Sequence, residues 1–436
     1  MGAPSEGGDA RWLNPEWRKL LNEPQRGEPR ARAVTKTKEE GKGREPRLPA
    51  WAERGKEEKE MKTHNCNSML RAVLCLAVCM LGLSLSASAD DHKGKIITFD
   101  APGAGTEAGQ GTFAQYINDP GLIAGYFVDS SGLSHGFLWY PNGKFTSFDA
   151  PHATGGTLGV IPNNAGEIAG IYFDSVGMHG FVRSPHGSFK EFDFPNSPEG
   201  TFTQAMNSAG TVTGPGWDAN GLSHGFIRHP DGHFTEFDPP GLGTECSGVF
   251  NFSCGTWPLS INSKGSITGD YNDPNGASHG FVRAADGTIT EFEPMDAALG
   301  DAQGGAGYWI NNAGEIVGAY LDSNWVWHGF LRDPDGHITE FSVPGAGTGY
   351  RQGSFSWAMN QANVVTGYWL DTNNANHGFV RTPDGRITKF DAPGAGTGAG
   401  QGTTPENIND AGWISGLYVD NNNVTHGFVR IPDPRK

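Results

Sequence analysis

The chain has 436 residues, with 32 Lys and Arg against 48 Asp and Glu, and 65 of its positions are glycine. That glycine content is about twice the usual share, which is typical of a turn-rich chain. Only 18% of the residues are charged, and 25 Phe, 12 Trp and 10 Tyr need burial, so the composition excludes a disordered polyelectrolyte and a coiled coil.

The first segment, residues 1–60, is rich in Arg, Lys, Glu and Pro and has no hydrophobic period. Such a composition cannot form a buried core, so we predict that it is disordered. The secretory signal described below begins only after this segment, at residue 61, although such signals normally stand at the N-terminus. The simplest explanation is that translation starts at Met61 or Met69 and that residues 1–60 are an upstream extension; a cytoplasmic tail is the alternative.

Residues 61–89 have the pattern of a signal peptide. Lys62 and Arg71 precede an apolar run at 72–85, and small residues follow it. Fourteen apolar residues are too few for a membrane span of ~20. We therefore predict cleavage near Ala89 and a protein that is extracellular or periplasmic.

The predicted mature chain, residues 90–436, keeps 16 Lys and Arg against 36 Asp and Glu, a formal charge of −20. This charge excludes nucleic acid and anionic membranes as partners. Only Cys246 and Cys254 remain, and an oxidising compartment favours a local disulfide between them. A pair of buried free cysteines is the alternative. The spacing is a weak signal for a zinc site, because no third or fourth ligand stands near the two cysteines.

The mature chain contains seven repeats of about 45 to 50 residues. An Asn-x-x-Gly turn recurs at spacings of 45, 44, 55, 49, 49 and 49, with Asn363 in place of the glycine once. A His-Gly-Phe triplet recurs in step with it. The turns begin at Asn118, Asn163, Asn207, Asn262, Asn311, Asn360 and Asn409; the triplets begin at His135, His179, His224, His279, His328, His377 and His426.

Each repeat predicts four short strands, in the first repeat TFAQYIN, LIAGYFV, HGFLWY and KFTSFD. Turns such as Asn-Asp-Pro-Gly and Pro-Asn-Gly have hairpin chemistry. The seventh repeat lacks its fourth strand, whereas an extra fourth strand, KIITFDAP, opens the mature chain. A closed ring would use that strand to complete its last blade. The sequence thus predicts an all-β, seven-bladed β-propeller closed by its N-terminal strand.

The recurring Asn-x-x-Gly-x-Ile/Val-x-Gly and His-x-Phe units resemble those of the secreted bacterial HAF repeat family over residues 95–436. The family triplet is His-Ala-Phe, and all seven copies here read His-Gly-Phe. The three-plus-one closure also resembles that of WD-repeat propellers. Neither resemblance implies a particular activity.

Counting along each hairpin places the triplet histidine opposite an acidic residue of the fourth strand and beside an aspartate of the preceding loop. The same count gives His279 with Glu293 and His328 with Ser342. Repetition in every unit favours a structural hydrogen-bond network over seven acid-base or metal sites. The predicted Asp-His-Asp rows are Asp129, His135 and Asp149; Asp174, His179 and Asp193; Asp218, His224 and Asp238; Asp371, His377 and Asp391; and Asp420, His426 and Asp100.

A ligand would bind the face formed by the loops between second and third strands (bc loops) and between units (da loops). Departures from the repeat lie there, and exposed aromatic rings beside Asn and Asp suit sugar stacking; packing of the Trp rings on a neighbouring blade is the alternative. The clustered oxygens also allow Ca²⁺, although no calcium-loop pattern occurs. No other cofactor is expected. The candidate ligand-binding residues are Trp325, Trp327, Tyr350, Arg351, Asp296 and Asp301.

The leading functional hypothesis is a secreted, monomeric, non-enzymatic binding propeller whose partner is a polysaccharide or an extracellular protein. One alternative is a polysaccharide-active hydrolase or lyase that uses Glu245, Asp296, Asp301 or Glu406. No nucleophile elbow or metalloprotease motif accompanies these carboxylates. The other alternative is a structural envelope or matrix protein.

Overall fold

The structure is a computed structural model that describes residues 94–244 and 254–433. In these two ranges it contains 28 β-strands and no helix, which confirms the all-β prediction. Accordingly, none of the described segments is a helix that could cross a membrane. The predicted upstream extension (1–60) and signal peptide (61–89) lie outside the described residues.

The strands follow one another as antiparallel hairpins in six groups of four and a last group of three, which we call units 1 to 7. A single strand, β1 (Lys95–Phe99), precedes them. Unit 1 contains β2 (Gly111–Ile117), β3 (Ile123–Val128), β4 (Ser134–Trp139) and β5 (Phe145–Phe148); unit 2 contains β6 (Gly156–Pro162), β7 (Ile168–Phe173), β8 (Met178–Arg183) and β9 (Phe189–Phe192); unit 3 contains β10 (Ala205–Met206), β11 (Val212–Trp217), β12 (Ser223–Arg228) and β13 (Phe234–Phe237).

The later units repeat this order. Unit 4 contains β14 (Thr256–Ile261), β15 (Ile267–Asn272), β16 (Ser278–Arg283) and β17 (Ile289–Phe292); unit 5 contains β18 (Gly304–Ile310), β19 (Ile316–Leu321), β20 (Trp327–Arg332) and β21 (Ile338–Phe341); unit 6 contains β22 (Gly353–Met359), β23 (Val365–Leu370), β24 (Asn376–Arg381) and β25 (Ile387–Phe390); and unit 7 contains β26 (Gly402–Ile408), β27 (Ile414–Val419) and β28 (Thr425–Ile431).

The first strand of the chain completes the last unit. β1 pairs antiparallel with β28, from Lys95 opposite Ile431 to Phe99 opposite Gly427. It therefore has the position that the fourth strand has in the other units. The first strands of the units also meet: β2 of unit 1 contacts both β6 of unit 2 and β26 of unit 7. The first and seventh units are therefore neighbours.

The His-Gly-Phe triplet is explained by packing within each unit. Its phenylalanine, Phe137 in unit 1, has no exposed surface, and the same holds for the equivalent ring in all seven units. Burying one such ring stabilises the fold by about 1.5–3 kcal/mol. The glycine is required because the fourth-strand ring, Phe148 in unit 1, covers it: a Cβ at Gly136 would lie 2.6 Å from that ring.

In units 2 to 7 an arginine stands two positions after the triplet phenylalanine and packs between units; unit 1 has Trp139 there. The arginine guanidinium lies 4.5 to 5.2 Å from the centroid of a fourth-strand phenylalanine ring of the preceding unit. Arg430, for example, is 5% exposed and lies over Phe390. An arginine on a short strand is expected from sequence to be a solvated charge, and the packing shows that this expectation is wrong here. Their apolar stems and planar heads fill the space between sheets.

The Asn-x-x-Gly turns, which join the first and second strands of each unit, form hydrogen bonds between units. Asn118 Oδ1 accepts the Leu122 N–H at 2.8 Å and closes its own turn, while its Nδ2 donates to the Asn163 carbonyl of the next unit at 2.9 Å. Asn409 Nδ2 donates to the Asn118 carbonyl at 3.1 Å, which joins unit 7 to unit 1. The repeat was visible in the sequence, but this bond between units was not predicted.

Candidate functional site

The triplet histidines lie between two carboxylates in most units. In the six units with an acidic fourth-strand partner, Nδ1 lies 2.5 to 2.9 Å from its carboxylate. In all seven units Nε2 lies 3.1 to 3.9 Å from the aspartate of the bc loop. Unit 5 differs because His328 Nδ1 is bonded to the Ser342 hydroxyl at 2.8 Å. Since both ring nitrogens face carboxylates in the other six units, those imidazoles have little capacity to act on a substrate.

The loop aspartates also hold their own loops. Asp129 Oδ1 accepts the Leu133 N–H at 3.0 Å and both the N–H and the hydroxyl of Ser131. Burial alone would raise the pKa of Asp129, but these hydrogen bonds lower it to about 2. The pKa of His179 is raised: burial would lower it, and hydrogen bonds to Asp193 and Asp174 outweigh that effect.

Three of the six predicted ligand-binding residues form an aromatic patch on the bc/da face, defined by Trp325, Tyr350 and Arg351. The Trp325 and Tyr350 rings are 5.5 Å apart, and the Arg351 guanidinium lies 5.5 Å from the first and 5.7 Å from the second. Tyr350 is 67% exposed. The Arg351 N–H donates to the Trp325 carbonyl at 2.6 Å, which joins the two loops.

Two residues of the aromatic patch have a backbone conformation that disfavours them. Trp325 has a φ of 62° and Arg351 a φ of 57°, both in the left-handed region. At the position of Trp325, units 1, 3 and 4 have glycine, and units 6 and 7 have Asn374 and Asn423. At the position of Arg351, Gly109 and Gly400 occur before units 1 and 7, and Ala302, with a φ of 57°, occurs before unit 5. A bulky side chain in this region costs about 1–2 kcal/mol, and such strain concentrates at functional sites.

The other three predicted residues lie apart from the patch. Trp327 packs edge-on against Phe355, with ring centroids 5.0 Å apart, so the packing alternative holds for this tryptophan. Asp301 is exposed and lies against the Gly276 turn of unit 4. Asp296 lines a cavity at unit 5.

That cavity has a volume of about 450 Å³, and His328 is one of its lining residues. The Asp296 N–H donates to Glu340 Oε1 at 3.3 Å, and Ser342 replaces the acidic partner that the other units have. Three carboxylates and one imidazole therefore line an open recess, which is suited to general acid-base chemistry. The lining residues are Asp296, Tyr320, Asp322, Ser323, His328, Glu340, Phe341 and Ser342.

One group of ligand atoms elsewhere could hold a metal ion: His224, Glu236 and Asp238 place one atom each within 4.8 Å of one another. His224 Nδ1 is already bonded to Asp238 at 2.7 Å, so a cation would compete with that bond. Cys254 is buried and disulfide-bonded. Its predicted partner Cys246 and the candidate carboxylate Glu245 lie outside the described residues, so the Cys246–Cys254 pairing stays a prediction.

The sequence did not predict a β-bulge in the first strands. In six units the pairing of the first strand with the second skips one residue, in β2 between Ala114 and Tyr116 and in β26 between Pro405 and Asn407. One signal was available in the sequence. The skipped position stands three residues before each repeated Asn, and its residue type differs between units, although the positions around it repeat. The skipped residues are Gln115, Val160, Leu259, Tyr308, Trp357 and Glu406.

No family model matches the chain, and no curated protein matches its sequence. Among solved structures, the chain is similar to virginiamycin B lyase from Staphylococcus aureus (16% identity, TM-score 0.52, 77% of this chain and 99% of that chain). It is also similar to a streptogramin B lyase (14%, 0.51, 77% and 97%) and to an oligogalacturonate lyase in complex with manganese (12%, 0.49, 78% and 98%). At these identities the first two likenesses show the fold alone, which is that of a β-propeller.

Proposed function

We propose that this chain is a secreted, closed, seven-bladed β-propeller of the HAF repeat type that binds carbohydrate through the aromatic patch without acting on it. Ring closure is supported by the β1–β28 pairing, by the contact between β2 and β26, and by the Asn409 to Asn118 bond. In a propeller of this kind each of the seven units is one blade.

The observation that carries the binding proposal is the strained conformation of the patch. Trp325 holds a left-handed position that units 1, 3, 4, 6 and 7 give to glycine or asparagine, and Arg351 holds one that is occupied by glycine before units 1 and 7 and by Ala302 before unit 5. A structural role would be met at a lower conformational cost by those residues, so the strain indicates selection for the half-buried Trp325 and Arg351 side chains beside the exposed Tyr350 ring. The aromatic rings can stack on the apolar face of a sugar, and the Arg351 guanidinium can donate hydrogen bonds to hydroxyl oxygens.

The test is retention of the purified protein on a broad array of polysaccharides and glycans, with assay of the eluate for released sugar. We expect retention without release, and loss of retention in Trp325→Ala and Tyr350→Ala. Val176→Ala is the matched control, because Val176 is 81% exposed in the corresponding loop of unit 2. Equal retention of the unsubstituted protein and all three variants would exclude the patch as the binding surface. If the unsubstituted protein is retained by no glycan, the partner is expected to be a protein instead.

A second candidate function is a lyase or hydrolase acting on a polysaccharide. It is favoured by the cavity at unit 5, where His328 lacks the acidic partner of the other rows and faces Asp296 and Glu340. The similar solved structures include proteins named as lyases. Release of sugar that is lost in Asp296→Asn while retention persists would favour this function. Retention without release in the unsubstituted protein would exclude it for the glycans tested.

A further inference from the structure

One buried carboxyl group, on a first strand, belongs neither to the aromatic patch nor to the cavity at unit 5. Glu406 is 9% exposed and is the skipped residue of the bulge in β26. Among the described residues it has no hydrogen-bond or ion-pair partner. Burial alone raises the pKa of Glu406 to about 8, and no cationic side chain offsets that burial. A carboxylate in such surroundings needs a proton or a cation to be stable.

The neighbouring bulge supplies a second oxygen without a partner. Gln115 is the skipped residue of β2, and its Oε1 is buried and accepts no hydrogen bond in the described structure. β2 and β26 are in direct contact: the Ile117 N–H donates to Asn407 Oδ1 at 3.4 Å, and the Ser415 hydroxyl donates to the Gln115 carbonyl at 2.7 Å. Two first strands in contact therefore carry, at the same bulge position, the carboxyl group of Glu406 and the unsatisfied amide oxygen of Gln115.

Aromatic rings limit the space around these groups. Tyr116 and Trp309 come from units 1 and 5, which are not neighbours, and their rings are 6.2 Å apart. The Glu406 charge contributes, after burial, to a raised pKa of Tyr116, so the tyrosine lies near the carboxyl group. The oxygen atoms of Glu406 and Gln115 are the groups here that suit a cation, because hard cations prefer oxygen ligands.

We propose that Glu406 and Gln115 form an axial binding site for one hard divalent cation of the Ca²⁺ class. The Glu406 carboxylate supplies the negative charge and one or two oxygens, and Gln115 Oε1 supplies a neutral oxygen. Ca²⁺ takes six to eight oxygen ligands in irregular geometry and accepts amide oxygens and water beside a carboxylate. Binding would satisfy two buried groups that the protein itself leaves without partners.

The site is distinct from the aromatic patch, because it uses first strands and the patch uses bc and da loops. The chain's strongly negative formal charge also attracts cations to many surface carboxylates. A test must therefore separate one buried site from diffuse surface binding. A variant that removes the same charge from the surface provides that separation.

The experiment is a Tb³⁺ titration of the full chain after treatment with EDTA, with luminescence sensitised by the nearby Trp309 and Tyr116. We expect saturable 1:1 emission that Ca²⁺ displaces, and its loss in Glu406→Gln, which keeps the side-chain shape. Asp384→Asn is the matched control: it removes the same charge from an exposed turn whose equivalent in unit 1 is Asn142. This control should titrate like the unsubstituted protein.

Absence of saturable emission, or equal emission from Glu406→Gln and the unsubstituted protein, would overturn the proposal. Urea unfolding with and without Ca²⁺ gives a second readout, since a ligand of the folded state raises the midpoint of the unsubstituted protein and of Asp384→Asn only. If Glu406→Gln does not fold, Gln115→Leu is the second test variant. It retains the Glu406 carboxylate but lacks the amide oxygen, so it should bind Tb³⁺ more weakly than the unsubstituted protein. Unchanged binding by that variant would also refute the site.

Discussion

The strain at Trp325 predicts an unusual order of stability among variants of one residue. Trp325→Ala and Trp325→Asn both remove the contacts with Tyr350 and Arg351, which are together worth about 1 kcal/mol. Alanine still pays the conformational free energy of a left-handed residue at a φ of 62°. Asparagine tolerates this region, and Asn374 and Asn423 adopt it in the equivalent loops. The free energy of unfolding of Trp325→Asn should therefore exceed that of Trp325→Ala by about 1 kcal/mol.

Urea unfolding at one pH measures this difference from the midpoint and slope of each transition. Gly132→Ala calibrates the backbone cost, because Gly132 has the same left-handed position in unit 1 and an added Cβ meets nothing within 4 Å. That substitution should cost about 1 kcal/mol. If Gly132→Ala is destabilised as expected while the two Trp325 variants unfold at the same urea concentration, the inference of strain at Trp325 is refuted. Both Trp325 variants should lose glycan retention equally, whatever their stability.

The remaining predictions concern the scaffold. Because His179 has a raised pKa in the folded protein, the stability that His179→Gln loses should be largest below the unfolded pKa of about 6.5 and should fade as pH rises through the folded value; equal loss at pH 5 and pH 9 in urea unfolding would contradict this. Removal of β1 (Lys95–Phe99) should leave the edge of β28 unpaired, which light scattering would detect as association; a monomer of unchanged stability would argue against the closing role of β1. Gly225→Ala should cost about 1–3 kcal/mol, since its Cβ would lie 2.8 Å from the Phe237 ring, and Phe237→Val should recover part of that loss; additive losses in the double variant would show that the ring is not the cause.

The hairpins were predictable from sequence because turn chemistry sets their register. Counting from Pro383-Asp384-Gly385 places His377 opposite Asp391, and the structure has His377 Nδ1 2.9 Å from Asp391 Oδ1. This succeeds because a two-residue period and a tight turn leave one register that keeps Phe379 buried. The same local rules explain why the predicted strands of unit 1 agree with β2 to β5 to within a residue or two.

Contacts between units were not predictable in the same way. Nothing in the triplet of unit 7 says that Arg430 lies over Phe390 of unit 6, because that contact depends on how two sheets pack. The bulge at Glu406 was also missed, since strict alternation along a strand gives no sign of a residue that the pairing skips. Among the candidate ligand residues, departure from the repeat identified Trp325 and Trp327 alike. Only the geometry shows that Trp325 lies beside the exposed Tyr350 ring and that Trp327 packs on Phe355.

The division between repeated and unrepeated positions has a physical cause. A residue that recurs in every unit meets the same surroundings in each, so it can serve a common structural task such as the Phe137 core or the Asn118 turn. A unique activity needs a unique environment, and it must arise where one unit departs from the others. The patch at Trp325 and the carboxyl group of Glu406 are both departures of that kind, and both have a local cost, one in backbone strain and the other in burial of an ionisable group. A fold stabilised by many equivalent contacts can retain two such costs, because each is small beside the sum of the repeated packing.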